Sequence, residues 1–345
     1  MTDPSRRLAP AVRLAPAKIN LTLAVLGRRP DGFHDLHSVV APLALADRLS
    51  VAVRAAGTDS VAVTGFDAGP AADNLVLRAI AATREAVRGA WPGAPATPPP
   101  LAARLEKRIP VAAGLGGGSS DGAAAIDAAV EAWGAELGGE DRARIAASLG
   151  SDVPLFLAGG MALIEGRGER VAPLPGVRGA PPGVLLVTPR VPVSTATAFT
   201  LFAAGGGVGS GSTRLSSEHL ASELRNGLSG PDLVVRAGVL ASANDLALAA
   251  AAIAPGLVPF RRALTRLVRR PIGLSGSGPT LWVLYPSLSA AEEAAAVVLA
   301  AVETGDVPAI GTEPPFVAAT TIAAGRAEDT SEPGNAEPAT AHQAH

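Results

Sequence analysis

Apolar and polar side chains alternate along residues 19–26 (INLTLAVL) and 49–63, the period of strands with one buried face. Residues 74–87 and 122–133 instead repeat their apolar positions every three or four, the period of a helix. Shorter strand-like runs follow at 160–164, 184–187 and 280–284, and residues 290–302 read as a further helix. Strands and helices interleave through both halves, which predicts an α+β fold. Residues 89–100 (GAWPGAPATPPP) and 203–213 (AAGGGVGSGST) have the composition of linkers, and the polar end from 326 to 345 is expected to be disordered. The pair Gly159-Gly160 marks an expected domain junction, because 345 residues suffice for two domains sharing a cleft.

Composition sharpens this picture. With 48% hydrophobic and 17% charged residues the chain can bury a substantial core, which excludes disorder of the whole. Aromatic residues are only 3%, so that core must be Ala, Val and Leu. A formal net charge of -2 argues against a general nucleic-acid or anionic-membrane partner, either of which calls for a basic excess. The absence of cysteine rules out disulfides, thiolate metal sites and a cysteine nucleophile, and with no H-E-x-x-H or similar pair no intrinsic transition-metal site is expected. The N-terminus lacks an apolar signal region, and the longest apolar runs, 246–260 and 294–302, are proline-broken or short. The cytoplasm is therefore the expected location.

The most informative segment is PVAAGLGGGSSD. A strand-like LEKRI leads into Pro110, Val111, Ala112, Ala113, Gly114, Leu115, Gly116, Gly117 and Gly118, and then Ser119, Ser120 and Asp121 stand where a helix is expected to begin. Glycines let backbone N–H groups approach an anion, the serines and aspartate offer caps, and a helix N-terminus carries partial positive charge. The arrangement suits a triphosphate, although neither the common P-loop nor the dinucleotide fingerprint occurs.

Of 29 Lys and Arg residues only Lys18 and Lys107 are lysines, so each either falls where it does by chance or marks a place where a compact ammonium serves better than a guanidinium. Lys18 opens a strand with Asn20 on the same face. Asp152, in SDVPLF, is either a helix cap or a carboxylate that takes or orients a substrate proton, kept ionised by Lys18. A second Gly-Ser loop, GLSGSGPT, contains Gly276, Ser277 and Gly278 and is either a hairpin turn or a clamp on an anionic substrate. Asn244-Asp245 is expected to cap the following helix, and Gly166-Arg167-Gly168-Glu169 to form a solvated turn.

The order PAKINL, RPDGFH, P-x-x-x-GLGGGSSD, SDVPLF and SGSGP resembles the GHMP small-molecule kinases from about Ala15 to Ala323. The resemblance implies a two-domain GHMP kinase fold, with an N-terminal ribosomal protein S5 domain 2-like domain over 15–162 and a ferredoxin-like C-terminal domain over 163–324. An extension of 1–14 and a tail of 325–345 flank them. It also implies ATP and Mg²⁺, and transfer of phosphate to the 2-hydroxyl of a small substrate carrying cytidine diphosphate, a step of non-mevalonate isoprenoid synthesis, by a monomer or homodimer. Lys18 and Asp152 match the catalytic pair, residues 110–120 the phosphate loop, and Lys107 and Asn74 positions near the adenosine. Asn20, Phe33, His34, Gly276, Ser277 and Gly278 match the acceptor site, where an aromatic ring stacks on the base and the histidine bonds its edge. Phe33 replaces the usual tyrosine, Gly122 the usual alanine, and Pro279 a small residue. Two alternatives stay open: another GHMP kinase, of mevalonate or homoserine type, and a non-catalytic nucleotide-binding protein on the same scaffold.

Overall fold

The computed structural model describes residues 9–88, 97–311 and 313–323. The first part of the chain forms strands β1 (Ala11–Asn20), β2 (Ala24–Arg28), β3 (His34–Val53), β4 (Ser60–Gly65), β5 (Leu101–Lys107), β6 (Ala162–Gly166) and β7 (Arg170–Pro173), with helices α1 (Leu75–Val87), α2 (Gly117–Trp133), α3 (Gly139–Leu149) and α4 (Val153–Ala158). The seven strands make one sheet organised by the long β3, which pairs with β2 and β6 over residues 34–40, with β1 over 40–51 and with β5 over 48–53. The second part places β8 (Gly183–Thr188), β9 (Gly273–Leu274), β10 (Leu281–Tyr285) and β11 (Phe316–Thr321) in an antiparallel sheet of order β11-β8-β10-β9. Its helices are α5 (Thr195–Ala204), α6 (Gly211–Arg225), α7 (Gly230–Val235), α8 (Ala237–Ser242), α9 (Ala247–Ile253), α10 (Leu257–Val268) and α11 (Leu288–Thr304). The α+β expectation is met.

Each departure from the sequence periodicity has a local cause. The expected strand 19–26 is interrupted between Asn20 and Ala24, where Leu21 and Thr22 both donate to the Val39 carbonyl and Leu23 turns aside to bond Ala243 and Asp245. The run 49–63 contains a turn at 54–59 between two strands that alternate in the same sense. The helix foreseen from 122 begins at Gly117, because glycine and serine carry no apolar periodicity, and Gly116 at φ 71° makes the entry. Within 203–213 the break is short: α5 runs to Ala204, and Ser210 caps α6 by accepting from the Ser212 amide. Residues 89–96 and 326–345 lie outside the described residues. The strand β6, which straddles residues 162 and 163, pairs with β3 and β7, so the larger sheet continues to Pro173.

The core is aliphatic and partly shared. Alternate residues of the second sheet face opposite ways: Leu185, Val187, Leu281 and Val283 pack with α10 and α11, while Val184, Leu186, Trp282 and Leu284 join Ile19, Val39 and Leu43 of the first sheet. A sheet covered on both faces explains why VLLV reads as a continuous apolar run. Helix α2 presents Ala123, Ala125, Ala128, Ala129 and Ala132 to β1, β3 and α1, and these small side chains let it lie close to the sheet.

Candidate active site

The loop from β5 to α2 is held by the second glycine loop. At Gly114, φ is 78° and a Cβ would meet the Ser275 carbonyl oxygen at 2.3 Å and that of Gly278 at 3.0 Å, so the two loops pack backbone against backbone. The Ser275 hydroxyl donates to the Gly114 carbonyl at 2.8 Å and accepts from the Asn20 amide at 3.3 Å. The Leu115 carbonyl accepts from the Lys18 amide at 2.9 Å, which ties β1 to the same loop. At Gly116 a Cβ would meet Phe156 at 2.8 Å and the Lys18 stem at 3.1 Å, so glycine is what lets these elements close up.

Pro110, Val111, Ala112, Ala113, Gly114, Gly116, Gly117, Gly118 and Ser119 line a cavity of about 400 Å³. No side chain caps α2, and its first-turn residues Gly117, Gly118 and Ser119 line that cavity at the positive end of a 17-residue helix. Ser119, Ser120 and Asp121 were expected before the helix as caps; they lie within it, since the chain enters α2 at Gly116. Leu115 and Ser120 are buried and off the cavity wall.

Lys18, Asn20 and Asp152 meet at the mouth of this loop. The Lys18 ammonium donates to Asn20 Oδ1 at 2.7 Å and lies 3.9 Å from Asp152 Oδ2, and Asn20 Nδ2 donates to Ser38. Asp152 occupies the position before α4, yet its carboxylate makes no cap bond. The cap role considered for it is therefore not the one the fold uses. Burial pushes the Lys18 ammonium below its ordinary value, and Asp152 partly opposes that fall.

Lys107 also lines the cavity, but its ammonium donates to both Asp47 and Asp121 in a buried cluster. Asp47 further accepts from the Arg108 and Ile109 amides. Burial pushes the Asp121 carboxyl up to about 7 against the pull of Lys107, and its Oδ1 has no partner. Asn74 lines the same cavity while capping α1 through the Val76 amide at 2.9 Å. Asn244 accepts from the Leu246 amide in the turn before α9, but Leu246 holds the N-cap position and no side chain caps that helix, so the expected cap is not formed; Asn244 instead donates to the Leu274 and Gly276 carbonyls, bracing the second loop. Asp245 instead receives the Val25 and Ser210 amides. Gly276 and Ser277 line the cavity and Gly278 does not.

A second cavity, of about 740 Å³, adjoins the first and shares Leu36, Asp152, Thr195 and Phe199 with it. Phe33 and His34 line this one. Phe33 is half-exposed, and the buried His34 stacks on Phe199 at 5.1 Å with its Nε2 unpartnered. Burial, aided by Arg28, lowers the imidazole's pKa and favours the neutral ring. The turn expected to be merely solvated contributes to both cavities: Arg167 lies 5.2 Å over the Phe33 ring and Gly168 lines the first. Phe199, Thr195 and Arg167 were not foreseen. In a chain with seven phenylalanines, the rarity that drew attention to the lysines would also have drawn it to Phe199.

A glycine-rich loop and a Lys–Asp pair at the meeting point of two cavities, on this two-sheet fold, define a GHMP-type small-molecule kinase. Residues 74–160 match the profile described as GHMP kinases N terminal domain. The 4-diphosphocytidyl-2-C-methyl-D-erythritol kinase of Pelotomaculum thermopropionicum is 38% identical over 286 residues, covering 82% of this chain and 92% of that protein. Its namesake from Methylorubrum extorquens is 40% identical over 299 residues, covering 83% and 94%. A crystal structure of 4-(cytidine 5'-diphospho)-2C-methyl-D-erythritol kinase superposes with a TM-score of 0.67 at 31% identity, covering 90% of this chain and 99% of that one. The chain belongs to the 4-diphosphocytidyl-2-C-methyl-D-erythritol kinase family.

Proposed function

We propose that the protein transfers the γ-phosphoryl group of ATP to the 2-hydroxyl of 4-diphosphocytidyl-2-C-methyl-D-erythritol, a step of the non-mevalonate route to isoprenoids. The observation that carries this reading is the place of Asp152: it belongs to both cavities, so a nucleotide along the glycine loop and an acceptor beside Phe33 and His34 would meet at its carboxylate. Asp152 takes or orients the hydroxyl proton as that oxygen attacks the γ-phosphorus, the bond to the β,γ-bridging oxygen breaks, and ADP leaves. Lys18, fixed by Asn20, places positive charge beside the transferred group. The first-turn amides of α2 and the loop glycines hold the phosphates, with Asn74 toward the nucleoside. Lys107, already paired twice, supports the loop from beneath.

Mg²⁺ fits this donor set as a passenger of the nucleotide. Among the described residues no three His, Cys, Asp or Glu side chains gather into a metal site, but the Ser119 hydroxyl and the Asp152 carboxylate offer oxygen ligands on the cavity wall. When bound with the nucleotide, the ion would supply neutralisation of the phosphates' negative charge. Among the described residues no single helix is long and apolar enough to cross a membrane, and the cytoplasm is the proposed location.

ADP release should be measured with ATP, Mg²⁺ and the cytidine substrate beside mevalonate, homoserine and no acceptor. Release with the cytidine substrate alone is expected. In Asp152→Asn, with an unchanged melting temperature, turnover should fall by about 10²- to 10⁴-fold. Release with another acceptor would overturn the substrate assignment, and undiminished turnover in the variant would overturn the role of Asp152.

A further inference from the structure

The acceptor cavity has a charge imbalance that base recognition leaves unexplained. Its charged lining residues are Arg28, Arg167 and Asp152, and Asp152 faces Lys18. His34 adds no charge at neutral pH, since burial and Arg28 both hold its pKa down. Among the described residues neither guanidinium is held in an ion pair: Arg167 lies over Phe33, and Asp31, the carboxylate whose charge it feels, is bonded to Arg29 and the Phe33 amide. A stacking ring and an unpartnered imidazole nitrogen account for a base, whereas Arg28 and Arg167, both exposed and without counter-ions, leave positive charge on the cavity wall that an anion would meet.

The backbone fixes where the two arginines enter the cavity wall. Arg167 and Gly168 are neighbours in the β6–β7 turn, one lining each cavity. At Gly168, φ is 118° and a Cβ would meet Ser151 at 3.1 Å, which packs the turn against the residue before Asp152. The Arg167 amide donates to Glu169 Oε2 at 2.7 Å and holds the turn in shape. Arg28 closes β2 opposite His34 in the sheet register, on the base side of the cavity. An anion between base and acceptor hydroxyl therefore passes two guanidinium groups whose planar forks match phosphate oxygens.

We propose that Arg167, with Arg28, binds the diphosphate bridge of the acceptor and so makes this cavity selective for a nucleoside diphosphate over the bare nucleoside. The inference rests on the acceptor reading above and assigns it two further binding residues. Because Arg167 is solvent-exposed, its contribution is that of a screened charge pair, roughly fivefold in affinity. It also weakens with rising ionic strength.

Calorimetric titration of CDP and of cytidine, with the donor cavity saturated by a non-hydrolysable ATP analogue, tests this directly. The wild type should bind CDP more tightly than cytidine. Arg167→Gln should reduce that preference by roughly fivefold, Arg167→Lys by less, and Arg28→Gln together with Arg167→Gln should remove most of it. Cytidine affinity separates charge from packing. If Arg167 acts only by covering Phe33, CDP and cytidine weaken equally, the preference is unchanged, and the proposal is overturned. It is likewise overturned if the wild type binds both ligands equally. Failure of the wild type to bind either ligand would instead bring down the acceptor reading itself.

Discussion

At the scale of single residues, the site is governed by how little water reaches Lys18. Its buried ammonium loses its proton more easily than an exposed lysine, so the alkaline limb of kcat/KM should lie below the ordinary lysine value of 10.5. A pH–rate profile checks this, and a limb at or above that value would show that Lys18 is not the titrating group. Asp121 shifts the other way. Its folded carboxyl titrates near 7 against 3.8 ordinarily, so the folded chain holds more protons than the unfolded one between those values, and the group's contribution to stability falls as pH rises through that window. Asp121→Asn removes this dependence while Lys107 keeps Asp47. Its melting temperature relative to wild type should therefore climb across the window and level off above it; a difference independent of pH would refute the linkage. Lys18 and Lys107 were legible because lysine is rare in this chain, and Asp152 because of the motif around it. Asp47 was not legible: it lies 60 residues from Lys107 in a strand whose pattern gives no hint of a buried charge.

At the scale of elements, glycine positions that look alike in sequence differ in kind. Gly122 is inside α2, and an added Cβ would make ordinary contact with Leu75 at 3.4 Å, so Gly122→Ala should stabilise by about 0.5–1 kcal/mol. Gly114 adopts a positive φ with a carbonyl oxygen where its Cβ would go, so Gly114→Ala should cost more than about 2 kcal/mol and weaken ATP binding. Chemical denaturation of both variants decides this; similar stabilities would mean that the two loops do not pack as described. Strands and helices of the middle of the chain were readable wherever one face is buried, as in α1. Boundaries were not readable where glycine sets them, as at Gly116, because entry into α2 depends on backbone angle and not on side-chain polarity.

At the scale of the whole molecule, the two sheets share one apolar cluster, in which Ile19, Val39 and Leu43 pack with Leu186, Trp282 and Leu284. Isolated backbone bridges also join the two parts, at Leu23 with Asn244 and at Leu43 with Ile322. Scanning calorimetry should therefore show one cooperative transition, raised by ATP with about 2.7 kcal/mol of added stability at a hundred times its dissociation constant. Two separate transitions, only one of them moved by ATP, would contradict a shared core. The sequence by itself determined the α+β alternation and singled out the glycine-rich loop by its composition and Lys18 by the scarcity of lysine, while the pairing of Lys18 with Asp152 was legible through the resemblance of PAKINL and SDVPLF to a known family. Only the tertiary structure decided that GLSGSGPT braces GLGGGSSD through Gly114 and Ser275, that Phe199 stacks on His34, and that Arg167 overhangs Phe33. Those contacts join residues more than 100 positions apart, and burial and backbone approach, which bring them together, leave no periodic trace along the chain.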